Sequence, residues 1–256
     1  KLGSSDVSVT AITMGAWAIG GFMWGGNEEK DSIAAIQAYI DNGVTSIDPA
    51  PIYGFGYSEE LVGRAIKNYD RSKIEILTKF GMVWDIEKGD FAFEGKNNEG
   101  DLKKIYRYGG YDRTISDVEL SLKRLQTDYI DLIQLHWPDT TTPIDETMKA
   151  MEKLLQDGKV RAVGVCNYNA AQLEEAEKTV KLASNQVPYS MLKRDIEAEV
   201  VPYALKNDLS IIAYSPMERG LLTGKYENMS ALSADDHRNS YFKKFDFAAV
   251  KMLTDH

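Results

Sequence analysis

Cysteine and positive charge are both scarce in this sequence, and each shortage excludes a class of protein. The single cysteine, Cys166, cannot form an intrachain disulfide, which is typical of a protein in a reducing compartment such as the cytoplasm. Acidic residues outnumber basic ones and give a net charge of −9. A nucleic-acid partner would require a basic surface, so we do not expect one.

Uninterrupted apolar runs and histidines are also few. Polar residues and glycines interrupt the apolar stretch 7–24, which favours a strand with a glycine-rich loop over a membrane span. We therefore expect no membrane partner and no secretory leader. The histidines His136, His237 and His256 have no metal-ligand spacing to Cys166 or to nearby carboxylates, so no metal site is predicted.

What the sequence does contain is a regular alternation of short β-branched runs and amphipathic stretches. Repeated strand and helix imply right-handed crossovers and a parallel sheet. The length of 256 residues is typical of an α/β barrel that folds as one domain. We predict an α/β fold, a (β/α)8 TIM barrel over residues 1–256, with the last strand and helix missing from this sequence. The predicted strands are residues 9–14, 45–47, 74–77, 129–135, 160–165, 183–186 and 209–214.

Three further predictions concern the surroundings of this barrel. Residues 82–111 are charged and rich in glycine, and we predict a long loop at the active-site face, because loops of this length are usually functional. A helix is predicted over residues 58–68, with Ser58 as its N-cap. Glu59 and Arg124 are interpreted as parts of exposed helix faces.

Chemically active residues stand where the predicted strands end. Asp48 follows the second strand and Tyr53 lies five residues further on, while Lys79 and His136 follow the next two strands. One such residue alone is usually a helix cap or a loop charge. Four of them at the carboxyl ends of neighbouring strands, where an α/β barrel has its active site, predict a catalytic site.

These four residue types suit the transfer of a proton to a developing alkoxide. Tyrosine, with a pKa of about 10, is a poor acid unless a nearby ammonium such as that of Lys79 stabilises its phenolate. Asp48 can pair with Lys79, and His136 can donate a hydrogen bond to a substrate oxygen. No side chain supplies a hydride, so the hydride that converts a carbonyl to the alkoxide must come from a cofactor.

The segments around these residues resemble the signatures of the aldo-keto reductase family. The run DPAPIYGFGYSEE begins at Asp48, LTKFG surrounds Lys79, and YIDLIQLHWPD contains His136. The runs GVCNY, NQVPYS and AYSP, with GLLTGK shortly after, resemble the cofactor-binding segments of the family. The resemblance covers nearly the whole chain in the same order, and it implies NAD(P)H-dependent reduction of a small-molecule carbonyl substrate.

The resemblance also implies a role for each matching residue. The implied catalytic residues are Tyr53 as proton donor, Lys79 as the modulator of its pKa, Asp48 as the partner of Lys79, and His136 as the group that orients the substrate. The implied cofactor-binding residues are Gly15, Ala16, Trp17, Asn167, Gln186, Tyr214, Ser215, Pro216, Gly220, Leu221, Gly224 and Lys225. Of these, Asn167 and Gln186 would bind the nicotinamide carboxamide, and Tyr214 would stack on the ring. The loop 215–225 would wrap the pyrophosphate. Trp84 and Trp137 are predicted to line the substrate pocket.

Two features depart from the family pattern. Cys166 stands where the family usually has serine, and a thiol is a weaker hydrogen-bond partner for a carboxamide. It is interpreted either as a small buried residue or as a redox-sensitive position. The family also continues beyond this sequence with the loop that binds the adenosine 2′-phosphate. Most members prefer NADPH, so the resemblance implies NADPH, with NADH as the alternative.

Two other functions stay open at this point. Potassium-channel β subunits resemble the family and keep the same four residues, so a cofactor-binding sensor or interaction module with slow or no turnover is the alternative. A metal-dependent hydrolase on the same barrel is disfavoured, because the sequence lacks the spacing of a ligand set.

Overall fold

The computed structural model describes residues 1–21, 23–24, 28–226, 232 and 236–254, so His256 lies outside the described residues. Strands β1–β10 are Met14–Gly15, Ser46–Asp48, Glu75–Phe80, Met82–Val83, Asp90–Lys96, Leu102–Arg107, Ile130–Leu135, Val160–Cys166, Ser184–Pro188 and Ser210–Tyr214. Seven of them form one parallel sheet in the order β1-β2-β3-β7-β8-β9-β10. The other three, β4, β5 and β6, form a separate antiparallel sheet.

A hydrogen bond across the parallel sheet shows that the sheet is strongly curled. The Nε2 atom of Gln186 on β9 lies 3.1 Å from Oδ1 of Asp48 on β2. Three strands, β3, β7 and β8, separate these two in the sheet. In a flat sheet, four strand spacings would separate the two strands by about 19 Å. The sheet must therefore curl around its inner face, which confirms the predicted barrel architecture.

Helices alternate with the strands and cover the outer face of the sheet. Helices α1–α8 are Glu29–Asp41, Tyr57–Ile66, Tyr111–Leu125, Ile144–Gln156, Ala170–Ala176, Val200–Lys206, Arg238–Tyr241 and Phe247–Thr254. The main core lies between helices and sheet and contains, for example, Ile36, Leu61 and Leu154. A second cluster lies where Leu2 and Val7 pack against side chains of the inner strands.

The first strand differs from its prediction. The apolar run 9–14 forms ladder bonds only from Met14 onward, where Met14 and Gly15 pair with Ile47 and Asp48. Upstream, the backbone N–H of Thr10 donates to the Ser46 hydroxyl at 2.8 Å. A side-chain acceptor thus replaces a ladder partner there, and an apolar pattern alone does not distinguish the two.

Residues 82–111 were predicted as a long loop, and that prediction is wrong in its secondary structure. The segment contains the antiparallel sheet β4-β6-β5, in which the hairpin β5–β6 turns through residues 97–101. Within this turn, the N–H of Asn97 donates to the Asp101 carbonyl at 2.9 Å. The apolar residues of this sheet, including Met82 and Ile105, pack with Ile52 and Tyr53. The segment is therefore an ordered wall beside Tyr53.

The start of helix α2 corrects two local predictions. The helix begins at Tyr57 after Gly56, and Ser58 is not its N-cap, because the Ser58 hydroxyl donates to the Ala16 carbonyl at 2.8 Å. Glu59 is not exposed either, since its side chain is fully buried and accepts from Arg124 at 2.7 Å. Its other oxygen accepts from the Thr78 hydroxyl at 2.6 Å. A buried carboxylate therefore ties α2 to β3 and to α3.

Candidate active site

Asp48 and Lys79 form an ion pair in the site. Asp48 is the last residue of β2, and Lys79 lies near the end of the adjacent β3. The Lys79 ammonium, which is completely buried, donates to Asp48 Oδ2 at 2.8 Å and to the Pro49 carbonyl at 3.0 Å. Burial is the largest single effect on the pKa of Lys79 and lowers it, but the charge of Asp48, its hydrogen bond and the nearby Tyr53 and Cys166 together outweigh burial, so the pKa is raised overall. Lys79 is therefore protonated at neutral pH.

Tyr53 is held beside this pair by a tight backbone turn. Gly54 follows it at φ +70°, and a Cβ built on Gly20 would lie 2.5 Å from the Tyr53 carbonyl oxygen. Only glycines allow the two chain segments to approach this closely. The Lys79 Nζ lies 5.0 Å from the centroid of the Tyr53 ring. The structure thus brings Tyr53 against the ammonium, as the sequence predicted.

The acidity of Tyr53 is set by two opposing effects. Burial raises its pKa, the positive charge of Lys79 lowers it, and the net direction is upward. The sequence predicts that Lys79 favours the phenolate, and the charge of Lys79 does lower the pKa of Tyr53, although the net shift is upward. Tyr53 therefore carries its proton at neutral pH. The charge of Lys79 makes the rise in its pKa smaller than burial alone would produce.

His136 completes the group at the end of β7. Its ring packs edge-on against Tyr53 with centroids 5.7 Å apart, and its backbone N–H donates to the Phe80 carbonyl at 3.0 Å. Burial, assisted by the charge of Lys79, lowers the pKa of His136 well below its usual value. The ring is therefore neutral at neutral pH. Its Nδ1 atom is buried with no hydrogen-bond partner among the described residues.

A set of buried amides and a thiol surrounds the Asp48 carboxylate. Gln186 and Gln134 both turn Nε2 toward Asp48 Oδ1, at 3.1 Å and 3.4 Å. The Cys166 thiol donates to Gln134 Oε1 at 3.9 Å. Burial raises the pKa of the Cys166 thiol. A protonated, buried thiol is a poor nucleophile, so the structure favours the small buried residue over the redox-sensitive one.

Asn167 and Tyr214 are joined at the same end of the barrel. Asn167 has φ +60° and donates through Nδ2 to the His136 carbonyl at 3.2 Å. The Tyr214 hydroxyl donates to Asn167 Oδ1 at 3.0 Å. Burial raises the pKa of Tyr214 to about 12. The predicted carboxamide-binding side chains of Asn167 and Gln186 and the ring of Tyr214 are thus close to His136 and Asp48.

The predicted pyrophosphate loop leaves the barrel at Ser215, which has φ +53°. Residues Glu218–Thr223 form a 3-10 helical segment in which Arg219 and Gly220 have left-handed backbone angles. The buried Glu218 carboxylate accepts from the hydroxyls of Ser190 and Tyr241, which fixes the loop on the barrel. Beside the loop lies a cavity of about 380 Å³, whose lining includes the predicted cofactor residues Leu221 and Gly224.

An aromatic layer lies over Tyr53. The Trp17 ring stacks on Tyr53 with centroids 6.0 Å apart and on His237 with centroids 4.8 Å apart. The Arg219 guanidinium lies 5.2 Å from the Trp17 centroid and 3.8 Å from that of Tyr241. Trp24 packs edge-on against both Trp17 and His237. We call this layer the cover, and its members are Trp17, Trp24, Arg219, His237 and Tyr241.

The predicted pocket tryptophans pack in a separate apolar cluster around Tyr53. Trp84 and Trp137 belong to the apolar cluster that contains Tyr53 and Phe55. Trp84 packs edge-on against Phe55 with centroids 5.3 Å apart, and the Arg107 guanidinium lies 5.0 Å from the Trp137 centroid. The described residues thus give Tyr53 one wall from the antiparallel sheet and one from the cover.

Comparison with known proteins decides the family. The family model described as "Aldo/keto reductase family" matches residues 11–254. The chain belongs to this family. It is therefore an NAD(P)H-dependent oxidoreductase.

Individual relatives give the same family. The chain is 43% identical over 240 residues to "Aldo-keto reductase YhdN" of Bacillus subtilis, covering 93% of this chain and 68% of the relative. It is 37% identical over 228 residues to the "NADH-specific methylglyoxal reductase" of Escherichia coli, covering 87% of this chain and 68% of the relative. The solved structure of the glycerol dehydrogenase AKR11B4 from Gluconobacter oxydans matches with a TM-score of 0.85 and 38% identity. That match covers 100% of this chain and 75% of the other.

Sequence reasoning missed several residues of this aldo-keto reductase site. Gln134 lies inside an apolar strand, and His237 was considered only as a metal ligand. Gln134 did carry a signal, because a polar side chain in a strand buried on both faces needs a buried partner. For His237 the sequence holds no such signal, since its contact with Trp17 joins residues 220 positions apart.

The described residues contain no cluster of His, Cys, Asp and Glu that suits a metal ion. In the same part of the chain, no helix combines the length and apolar character needed to cross a membrane.

Proposed function

We propose that this aldo-keto reductase reduces an aldehyde or ketone to the alcohol, with Tyr53 as the proton donor and NADPH as the hydride source. The observation that carries the proposal is the buried Lys79 ammonium, held by Asp48 at 2.8 Å and placed 5.0 Å from the Tyr53 ring. A fixed positive charge at this position stabilises the phenolate that remains after the proton has left.

The residues that would hold the cofactor fit it chemically. Asn167 and Gln186 offer amide groups at adjacent strand ends, and Tyr214 offers a ring beside them. Gly15 has open space where a side chain would stand, so a planar group can approach the strand there. The nicotinamide, when bound, supplies the hydride that adds to the carbonyl carbon and is itself oxidised.

The chain's own residues then complete the reduction. The carbonyl oxygen gains negative charge as its carbon accepts the hydride, and Tyr53 transfers its hydroxyl proton to that oxygen. Lys79 stabilises the resulting phenolate until a proton from solvent restores the phenol. The neutral His136 ring, whose Nδ1 atom has no protein partner among the described residues, is free to bind the substrate oxygen through one of its nitrogens.

The choice of NADPH rests on the resemblance to the family. One relative is named as specific for NADH, so the two cofactors are to be compared directly. Binding constants for NADPH and NADH, measured by the quenching of tryptophan fluorescence, decide between them. We expect NADPH to bind more tightly, and a preference for NADH would contradict this part of the proposal.

Tyr53→Phe tests the proton donor. We expect turnover to fall by a factor of at least about 100, because a general acid contributes roughly that much or more. NADPH binding should stay unchanged. The assay is the carbonyl-dependent oxidation of NADPH with a panel that includes methylglyoxal and glyceraldehyde. The control is Tyr39→Phe, at an exposed tyrosine on α1, which should behave as the unsubstituted protein.

Two results would contradict the proposal. Full activity in Tyr53→Phe would remove Tyr53 from the proton-donor role. Tight NADPH binding by the unsubstituted protein, without turnover of any carbonyl in the panel, would instead favour a cofactor-binding sensor.

A further inference from the structure

Gln134 lies beside Lys79 in the interior of the barrel. The two residues are register partners on the adjacent strands β3 and β7, so their side chains point to the same face of the sheet. Gln134 is completely buried, as is Lys79. A buried amide must bond each of its polar atoms or lose stability, so its partners are informative.

The donors and acceptors around Gln134 fix which way its amide points. A carboxylate only accepts hydrogen bonds, so Nε2 must be the atom that faces Asp48 Oδ1, at 3.4 Å. The same nitrogen lies 3.4 Å from the Leu77 carbonyl oxygen. The amide oxygen then accepts from Gln186 Nε2 at 3.4 Å and from the Cys166 thiol at 3.9 Å. The chain of bonds runs in one sense, from Cys166 and Gln186 through Gln134 to Asp48.

Asp48 therefore has two separate sets of donors. Its Oδ2 atom accepts from the Lys79 ammonium, and its Oδ1 atom accepts from the two glutamine amides. The two amides on Oδ1 together oppose rotation of the carboxylate, and the loss of either one weakens that restraint. Gln134 is the one of these two glutamines that is not implied to bind the cofactor, so its bond to Asp48 does not compete with cofactor binding.

We propose that Gln134 is a positioning residue of the reductase, which fixes the Asp48 carboxylate toward Lys79 and the Gln186 amide toward the cofactor. This inference rests on the proposed function and deepens it. Through these hydrogen bonds, Gln134 links the Asp48–Lys79 pair to Gln186 on the cofactor side of the site. Gln134 acts through Asp48 and Gln186, whose side chains it contacts, and no contact with the substrate is assigned to it.

Gln134→Met tests the role with a side chain of equal length that cannot form hydrogen bonds. We expect kcat to fall about tenfold across the pH range, because the Asp48 carboxylate loses one of its amide donors and holds Lys79 less firmly beside Tyr53. The KM for the carbonyl should change less than about threefold, since the substrate contacts remain. NADPH binding, measured by fluorescence quenching, should weaken severalfold because the Gln186 amide loses its acceptor.

Gln134→Glu gives a signature that a merely structural role would not produce. At low pH the introduced carboxyl is protonated and can donate to Asp48 as the amide does. As the pH rises it ionises and places a second negative charge beside Asp48, which makes Tyr53 a weaker acid. We expect a new descending limb in the pH profile of kcat, absent from the unsubstituted enzyme.

The control is Gln37→Met, because Gln37 donates to the Ala65 carbonyl at 3.2 Å between α1 and α2, away from Asp48. It should leave kcat and the pH profile unchanged. The positioning role is overturned if both Gln134 variants fold, turn over within twofold of the unsubstituted enzyme, and keep its pH profile. If the unsubstituted protein reduces no carbonyl, the proposed function itself has failed. NADPH binding by Gln134→Met then still tests the orientation of Gln186, and unchanged binding would overturn that part.

Discussion

The strand ends and the cover hold Tyr53 by different physical means. At the strand ends, the charged groups of Asp48 and Lys79 are 2.8 Å apart, and Lys79 is completely buried. In the cover, Trp17 and His237 stack at 4.8 Å, and Arg219 lies over Trp17 at 5.2 Å. Buried charge pairs depend on both partners being present, whereas ring stacking is spread over many weak contacts. Loss of one residue should therefore abolish function at the strand ends and only weaken it at the cover.

The largest effect is expected from Lys79→Met, at the centre of the strand-end group. Turnover should fall by about 100-fold or more, because Tyr53 loses the charge that stabilises its phenolate. Removing one partner of a buried pair also destabilises the fold, here by about 3 kcal/mol. The measurements are steady-state kinetics and urea unfolding.

Lys178→Met is the matched control for this change. Lys178 pairs with Glu175 at 2.6 Å, but both side chains are exposed, so neither activity nor stability should change measurably. If the two lysine variants behave alike, the buried pair has no special role and the comparison of the two regions fails.

The second prediction concerns the turn that carries Tyr53 between the two regions. Gly54 and Gly158 both have φ +70°, but only Gly54 is in close contact, with the Gly20 carbonyl. Gly158→Ala should cost about 1 to 2 kcal/mol of stability from the left-handed backbone alone. Gly54→Ala should cost about 1 to 3 kcal/mol more, because Gly20 must move. We also expect a kcat lower by roughly tenfold to 100-fold, since Tyr53 is displaced.

Thermal unfolding and kinetics of the two alanine variants check this difference. Equal destabilisation by Gly54→Ala and Gly158→Ala would show that the close approach of Gly20 does not constrain Tyr53.

A smaller effect is expected in the cover, from Arg219→Met. The substitution removes a charge that is stacked between Trp17 and Tyr241 and lies in the loop that the family resemblance implies for the cofactor pyrophosphate. We expect NADPH to bind about tenfold more weakly, which is about 1.4 kcal/mol and within the range of a partly buried cation–π contact. The kcat at saturating NADPH should stay within about threefold.

Arg194→Met serves as the control for this prediction, because Arg194 is an exposed residue that pairs with Glu197. It should leave NADPH binding unchanged. A collapse of kcat in Arg219→Met, comparable with that of Lys79→Met, would mean that the cover is as essential to the chemistry as the strand ends.

The two regions also differ in how far the sequence predicts them. Parallel strands align their carboxyl ends, so the positions of Asp48, Lys79 and His136 after three apolar runs are sufficient to predict that they meet. No comparable rule predicts the contacts of the cover, because Trp17 and His237 meet through long-range packing that leaves no local pattern in the sequence. The sequence therefore predicted the strand-end residues and only one member of the cover, Trp17, by resemblance.

Two predictions were wrong for different reasons. Residues 90–107 place apolar and aromatic side chains, such as Phe93 and Ile105, on both sides of a turn that contains Asn and Gly, which is compatible with a hairpin, yet the charge of the segment favoured a loop. Glu59 was assigned to an exposed face because one glutamate in a helix is usually solvated. Its burial depends on Arg124, which lies 65 residues away and which only the folded structure brings to it.

The smallest effect is expected when one histidine from each region is replaced and the pH dependence of stability is compared. Burial lowers the pKa of both His136 and His237, and the shift is larger for His136. An unfolded histidine titrates near pH 6.5, so below that pH the unfolded chain binds more protons than the folded one. Each histidine therefore lowers the free energy of unfolding as the pH falls below 6.5, by at most about 1.4 kcal/mol per pH unit. Above pH 6.5 it has no such effect.

Replacement of either histidine by asparagine should remove this cost. Urea unfolding between pH 7 and pH 5 should therefore show that His136→Asn loses less stability on acidification than the unsubstituted protein. His237→Asn should show the same trend to a smaller extent, because its Nδ1 atom lies 2.8 Å from the Met23 carbonyl, a contact that favours the protonated ring. A larger effect at His237 would mean that the cover excludes water more completely than the strand ends do, and it would reverse the order of the two regions.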